Sequence, residues 1–316
     1  MSTDSSRGAA GAAAATGHVW VDGRLLPADE PHVSVFDRGF QLGDGIFETL
    51  RARAGRPIEL AEHVARLRGS ASGLDIALPD DIAALLAGGI AELLAADGLD
   101  GSDGDASIRI TVTRGRFRGR GLLPLDEAVE PTIAIQAWPV LPAPPAHIER
   151  GMHLVTSAIR RDPRNPLVRL KTTSRAEYVY ARLEARRAGA DDALFLTTDG
   201  ALSEATTANI FIVRRAAGDE ALELATPSLE CAILPGTTRS WLLGWAARNG
   251  LRPIEGRFGA RDLAIADEAF VSSSVAGILP VTRFDGRSVG DGSQGPWTRR
   301  ARAAREAMIR GEDESG

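Results

Sequence analysis

The sequence predicts an α+β fold of two domains, and three observations carry that prediction. The chain has 316 residues, which fills about two domains at the usual ~100–200 residues each. Helical and strand-like patterns are mixed without a regular βαβ alternation, which argues against a doubly wound sheet. Near the middle lies Pro139-Val140-Leu141-Pro142-Ala143-Pro144-Pro145, a stiff proline-rich stretch that makes the best boundary. The expected division is a disordered leader at 1–17, a smaller domain at 18–138, a linker at 139–147 and a larger domain at 148–316.

Taken in order, residues 1–17 are mostly Ser, Gly and Ala. They lack the basic start and apolar core of a secretory signal and too little of them is apolar to order a leader. His18-Val19-Trp20-Val21 begins the ordered chain, with Asp22-Gly23 as a hairpin turn. Residues 46–53 alternate as a strand, Ala54-Gly55-Arg56-Pro57 turns, and 59–71 follows as a helix. Apolar residues recur at helical spacing over 80–96, then strands are expected at 107–113 and 131–138. Beyond the linker the pattern gives a strand at 152–157, a long polar loop, a helix at 175–189 and a strand at 193–198 closed by Asp199-Gly200. Strands at 209–214 and 221–225, a helix at 238–249, strands at 268–271 and 278–282 and a terminal helix at 297–310 complete the chain.

Composition excludes several classes. No apolar run reaches the ~18 residues of a membrane span. The one cysteine, Cys231, permits neither an internal disulfide nor a thiolate metal cluster. A net charge of −5 gives no bulk attraction to nucleic acid. None of the five histidines has a partner at metal-ligand spacing. A cytoplasmic protein acting on small molecules is the expectation. Gly43-Asp44-Gly45-Ile46-Phe47-Glu48 begins like a dinucleotide fingerprint but ends in Glu and runs into a strand, so that reading fails on context.

One count is sharper. Of 37 basic residues a single one is lysine, Lys171. A guanidinium replaces an ammonium at most solvated sites but cannot serve as an amine nucleophile, so the surviving lysine is a candidate for amine chemistry. It lies in Arg169-Leu170-Lys171-Thr172-Thr173-Ser174, after a loop rich in arginine. Neighbouring cations and desolvation both lower an amine's pKa and free its lone pair for a Schiff base. Glu204 lies among small residues after a tight turn; it fits either a solvated acid or the carboxylate that keeps a pyridine nitrogen protonated. Leu234-Pro235-Gly236-Thr237-Thr238-Arg239 opens a helix, and Ser272-Ser273-Ser274 ends a strand. Thr237, Thr238, Ser273 and Ser274 offer hydroxyls and amides to an anion, or an ordinary cap and a polar loop. His63 and Arg66 share a helix face, and Arg66 suits a phosphate clamp or a salt bridge.

Together these residues resemble the class IV, fold-type IV, pyridoxal-phosphate enzymes: branched-chain aminotransferases, D-amino-acid aminotransferases, (R)-amine transaminases and aminodeoxychorismate lyases. The resemblance runs from about 18 to 310. Asp37-Arg38-Gly39-Phe40-Gln41-Leu42-Gly43-Asp44-Gly45-Ile46-Phe47-Glu48-Thr49 is similar to the family's first signature, and His63-Val64-Ala65-Arg66-Leu67 to its phosphate-arginine helix. The resemblance implies that Lys171 is the Schiff-base lysine, that Glu204 faces the pyridine nitrogen and that Leu234 packs on the ring. It implies phosphate ligands at Arg66, Thr237, Thr238 and Ser274, and an aromatic pocket wall at Phe47. It further implies a small and a large α/β domain with pyridoxal 5'-phosphate between them, in a homodimer whose loops complete each other's sites.

Departures from the family pattern narrow the substrate. The branched-chain enzymes carry a tyrosine five residues after the lysine, where this chain has Ala176, and a Tyr-x-Arg where it has Ser107-Ile108-Arg109. Thr113 to Gly121 resembles the arginine-bearing loop of the D-amino-acid and lyase branches, although the D-branch Arg-x-His is absent. Arg120, with Arg118 as fallback, is the expected carboxylate ligand. The expected function is a transaminase moving an amino group between a D-amino acid, and also (R)-amines, and a 2-keto acid. The runner-up is a pyruvate-releasing 4-amino-4-deoxychorismate lyase, to which Gly119-Arg120-Gly121 and Ser174-Arg175-Ala176-Glu177 lean. The L-branched-chain activity ranks third, because both of its tyrosines are missing; the three activities interconvert through few loop residues.

Overall fold

The computed structural model describes residues 17–30, 32–124, 129–215 and 221–312; the expected leader, Gly17 apart, lies outside them. The chain opens with β1 (His18–Val21) and β2 (Arg24–Pro27). Asp22 and Gly23 between them have φ of 48° and 82°, the left-handed pair that suits the twist of a two-residue hairpin. Then come α1 (Arg38–Leu42), β3 (Gly45–Arg53), β4 (Arg56–Pro57), α2 (Leu60–Gly73), α3 (Ile82–Ala96), β5 (Asp105–Thr113) and β6 (Thr132–Pro139). The six strands form an antiparallel sheet in the order β2-β1-β6-β5-β3-β4.

Strand periodicity decides what each face of this sheet does. Along β5, Ala106, Ile108, Ile110 and Val112 are buried, in one core with Ile82, Leu86, Ile90 and Leu93 of α3. Their alternates Ser107, Arg109 and Thr111 stand on the opposite face. In β3, Ile46 and Leu50 belong to the same core, while Phe47 and Thr49 turn away from it. Gly89 lets α3 approach β1, since a Cβ there would stand 2.8 Å from the Trp20 ring.

The second half contains α4 (Pro145–Glu149), β7 (Met152–Arg161), α5 (Ala176–Arg187), β8 (Asp192–Thr197), β9 (Leu202–Ala205), β10 (Asn209–Arg215) and β11 (Leu222–Pro227). After them come α6 (Thr237–Arg248), β12 (Arg252–Gly256), α7 (Ala260–Ala264), β13 (Glu268–Ser273), β14 (Gly277–Phe284), β15 (Arg287–Ser288) and α8 (Pro296–Arg310). The nine-stranded mixed sheet runs β12-β11-β10-β13-β14-β7-β8-β9, with β15 on β14. Glu204 of β9 also pairs with Asn209 of β10, which joins the path back on itself. Strands β10, β13, β14, β7, β8 and β9 thus form a ring, and its closing bridge holds Glu204.

The last helix ties the two sheets together. Arg305 of α8, 1% exposed, donates to both oxygens of Glu59 at 2.7 and 2.8 Å. Arg51 of β3 binds Asp105 of β5 and Glu306 of α8.

Mixed helices and strands are as expected, with differences in extent. The strand expected at 152–157 continues to Arg161, with a shift of register against β8 between Thr156 and Arg160. Helix α1 was not expected; Asp37 caps it by accepting from the Gly39 amide, and Gly43 ends it at φ 65°. Strand β9 is too short to show alternation, and β12 carries Pro253, which an edge strand tolerates.

Candidate active site

Residues from both halves wall a cavity of about 410 Å³. The structure brings to it Phe47, Arg66, Lys171, Glu204, Leu234, Thr237, Thr238, Ser273 and Ser274. The lysine reaches it because the chain after β7 is stitched to the free edge of β3. The Phe47 amide donates to the Lys171 carbonyl at 2.9 Å, the Thr173 amide to the Gly45 carbonyl at 2.8 Å, and the Lys171 amide to Ser70 Oγ at 3.1 Å. Its Nζ stands 4.5 Å from the centroid of Phe47. Burial and then the Arg66 charge push this amine down to about 8, against the pull of Glu48 and Glu204.

Glu204 is buried and held from three sides. Arg161 Nη1 donates to it at 2.9 Å, the Leu234 amide at 2.9 Å and Asn209 Nδ2 at 3.3 Å. Arg161 in turn donates to the Tyr178 hydroxyl at 2.8 Å. A buried carboxylate tolerates removal from water only with such partners.

At another end the first turn of α6 enters the cavity. Its N-cap is Gly236, with no side chain covering the free amides, which leaves them available to an anion. A Cβ there would stand 2.1 Å from Asn209 Oδ1 and would displace that side chain from Glu204. Thr237 Oγ1 lies 3.3 Å from Ser274 Oγ and 3.4 Å from His63 Nε2. Thr238 Oγ1 accepts from Arg305 at 3.3 Å, so its own proton is free to point elsewhere. Ser272 Oγ, on the same wall, is buried with no hydrogen-bond partner among the described residues.

Arg66 combines the two roles left open by the sequence. It donates to both oxygens of Glu48, at 2.8 and 2.6 Å, and to the Pro235 carbonyl at 2.9 Å, while still lining the cavity. His63 Nδ1 lies 2.7 Å from Glu48 Oε2. Burial would raise the Glu48 carboxyl, but the Arg66 and His63 hydrogen bonds outweigh it and hold it down to about 2.

Arg118 and Arg120 are not brought to the cavity. Both are exposed, and the Arg118 guanidinium lies 5.7 Å from the Phe36 ring centroid on the outside. Their loop starts where the Arg116 backbone pairs with that of Asp37 and the Arg114 guanidinium binds Asp44. The cations that do line the cavity are Arg109 and Arg175. Arg109 Cζ lies 4.0 Å from the Phe47 centroid, and Arg175 Cζ lies 3.2 Å from that of Tyr178 and 5.6 Å from that of Phe47. Arg109 was legible as the cavity-face alternate of β5. Arg175, Tyr178, Arg161 and Asn209 depend on long-range pairing that the local sequence does not carry.

A lone amine, a fixed carboxylate and a hydroxyl-and-amide cup around one cavity match the three handles of pyridoxal phosphate: aldehyde, ring nitrogen and phosphate. Among the described residues no group of three potential ligands could hold a metal ion, and no helix is long and apolar enough to cross a membrane.

Comparison with known proteins gives the same direction. Residues 45–284 match the family model described as amino-transferase class IV. A D-alanine aminotransferase of Bacillus licheniformis is 30% identical over 298 residues, 92% of this chain and 96% of that protein. A Methanocaldococcus jannaschii protein provisionally named a branched-chain-amino-acid aminotransferase is 34% identical, over 89% of this chain and 93% of its own length. Among solved structures, the Escherichia coli branched-chain amino acid aminotransferase superposes with a TM-score of 0.85 at 26% identity, over 95% of this chain and 97% of that one.

Proposed function

The chain belongs to the class IV aminotransferases, and from that premise we propose that it moves the amino group of a D-amino acid to a 2-keto acid. It is a pyridoxal-phosphate enzyme, as its family is, and solved relatives carry phosphopyridoxyl-glutamate and pyridoxamine 5'-phosphate. Bound pyridoxal phosphate supplies a carbonyl that an amine can capture and a ring that draws electrons from the substrate carbon.

The chain's own residues do the rest. Lys171 Nζ, lowered to about 8, gives up its proton far more readily than an ordinary lysine and would take, then return, the proton of the substrate α-carbon. Glu204, clamped by Arg161, Asn209 and the Leu234 amide, presents a fixed negative charge to the ring nitrogen. Thr237, Thr238, Ser273, Ser274, Arg66 and the first amides of α6 would hold the phosphate. Leu234 would pack on the ring, and Phe47 would wall the substrate side.

The substrate reading rests on one observation: both tyrosines of the branched-chain pattern are missing from this wall, and Arg175 stands beside the place of the second. Positions 107 and 176 are Ser and Ala, and Arg109 and Arg175 fill the wall. Both enantiomers must turn the α-hydrogen to the same lysine, so their carboxylates lie on opposite sides, and the side with the cations selects. The test is a donor panel on the loaded enzyme. D-alanine or D-glutamate should convert the cofactor to its amine form faster than L-leucine does, and (R)-phenylethylamine, without a carboxylate, should be the weaker donor. A preference for L-leucine would return the branched-chain reading, and pyruvate release from 4-amino-4-deoxychorismate outrunning transamination would establish the lyase.

A homodimer belongs to the same proposal. Phe40 of α1 and Leu122, next to the loop bearing Arg118 and Arg120, are 72% and 79% exposed, apolar surface that a second copy would cover. Light scattering should give twice the chain mass, and a monomer at micromolar concentration would oppose it.

A further inference from the structure

Behind the phosphate cup, a side chain of the last helix reaches two other elements at once. Arg305 of α8 is 1% exposed. Its fork donates to both oxygens of Glu59, at 2.7 and 2.8 Å, and Nη2 also donates to Thr238 Oγ1 at 3.3 Å. Glu59 precedes α2, the helix that carries Arg66, and Thr238 lies in the first turn of α6. The Glu59 carboxylate makes no capping bond to α2; it is turned to Arg305 instead. Burial pushes the Glu59 carboxyl up, but the Arg305 hydrogen bonds outweigh that and hold it below the usual range. Arg305 Nε is buried with no hydrogen-bond partner among the described residues, and the Trp241 ring centroid stands 5.2 Å from its Cζ. A buried ion pair is often no more stabilising than apolar side chains of the same volume, and this one also leaves a buried donor unmet. Fold stability alone does not account for it.

What the guanidinium adds is direction. A threonine hydroxyl has one proton and two lone pairs, and a guanidinium accepts nothing. With Arg305 donating to Thr238 Oγ1, the hydroxyl proton is kept off that side and turns to the cavity that Thr238 lines. Thr237 is not constrained in this way: its Oγ1 faces Ser274 Oγ at 3.3 Å and His63 Nε2 at 3.4 Å. Without Arg305, Glu59 would set a bare negative charge behind a cup that receives an anion. We propose that Arg305 is a positioning residue for the cofactor phosphate. It orients the Thr238 proton towards the phosphate and neutralises Glu59 behind it, so that retention of the phosphate depends on the last helix of the chain. The inference deepens the transaminase reading and rests on its placing of the phosphate at α6.

The test needs no turnover. The apoprotein is titrated with pyridoxal phosphate and with pyridoxal, which has the same ring and aldehyde but no phosphate, and binding is read from the cofactor absorbance at fixed pH and ionic strength. Arg305→Met, which bares Glu59, should raise the Kd of pyridoxal phosphate at least about tenfold, the worth of one charge-assisted contact, and leave that of pyridoxal within about twofold. Adding Glu59→Gln removes the bare charge and should recover part of the loss. About threefold should remain from the unoriented hydroxyl, and it should vanish when the pair is replaced in a Thr238→Val parent. Where Arg305→Met alone does not fold, the paired substitution carries the test, since it leaves no buried carboxylate unmatched. Equal losses for the two ligands mark a merely structural role and overturn the proposal. So does a paired variant as tight as the unaltered chain, or a loss that persists in the Thr238→Val parent. An unaltered apoprotein that prefers pyridoxal phosphate, with Arg305 variants that prefer it equally, removes this inference alone. An unaltered apoprotein with no preference between the two ligands removes the phosphate from α6 and the reading beneath it.

Discussion

Arg161 and Glu204 form an ion pair of 2.9 Å with both side chains almost fully buried, at 2% and 7% exposure. Glu204 stands at the bridge that joins β9 to β10, so this pair fixes the acid of the site and the closure of the sheet together. Removing one partner of a buried pair strands the other and costs roughly 3–5 kcal/mol. Arg161→Met should therefore lower the urea midpoint strongly. Glu204→Gln should keep the cofactor yet slow conversion of D-alanine by about tenfold or more, because the ring nitrogen loses its anionic partner. A Glu204→Gln enzyme as fast as the unaltered one would show that the acid does not face that nitrogen.

Glu48 gives a prediction in pH. Its folded-state pKa is about 2, against 4.5 unperturbed. The folded form thus binds this proton less readily than the unfolded chain. The contribution is complete above about pH 4.5 and is lost as pH falls towards 2, with a size of about 3 kcal/mol at ~1.4 kcal/mol per unit. Urea unfolding at pH 6, 4 and 3 should show the unaltered protein losing more stability than Glu48→Gln over that window. Parallel losses would mean that the Arg66 and His63 contacts do not hold the carboxylate.

The phosphate cup predicts a graded loss of cofactor. Thr238 accepts from Arg305 and so keeps a proton to donate, while Thr237 shares its hydroxyl with His63 and Ser274. Charge-assisted contacts are worth roughly 1.5–3 kcal/mol each. Arg66→Ala and Thr238→Val should each weaken retention by about tenfold, followed as absorbance lost on dialysis. Variants that stay as fully loaded as the parent would remove these residues from the cup.

Lys171 predicts the pH at which the apoprotein takes up its cofactor. Only the free amine attacks the aldehyde, and burial with the Arg66 charge brings its pKa to about 8. The uptake rate should rise with pH up to about 8 and level off above it. A rise continuing towards 10.5 would mark an ordinary solvated lysine.

The sequence made the fold class, most elements and the cavity's polar handles legible, because those are written in local patterns. Lys171 stood out by being the only lysine, and Thr237 by the Gly236 before it. What stayed hidden depends on distance in the chain. Arg161 looked like part of a solvated loop because Arg160-Arg161 extends β7 past a change of register. Its role appears only when Glu204 arrives from β9. Arg120, expected between its two glycines as the carboxylate ligand with Arg118 as fallback, lies with it outside this chain's own cavity, on a loop whose start is held by a backbone bridge to Asp37 and by the Arg114–Asp44 ion pair. Arg175 was visible in sequence only as part of the lyase-leaning stretch Ser174-Arg175-Ala176-Glu177; its place over Tyr178 and near Phe47 depends on the fold.

The central claim is that Lys171 carries the cofactor, and borohydride reduction of the loaded protein followed by peptide mapping tests it most directly. With one lysine in the chain, the only competing amine is the N-terminus. The account predicts the reduced pyridoxyl label on the peptide containing Lys171, with no label in Lys171→Arg, whose guanidinium cannot form the bond. Label confined to the N-terminal amine, or retained in Lys171→Arg, would contradict it.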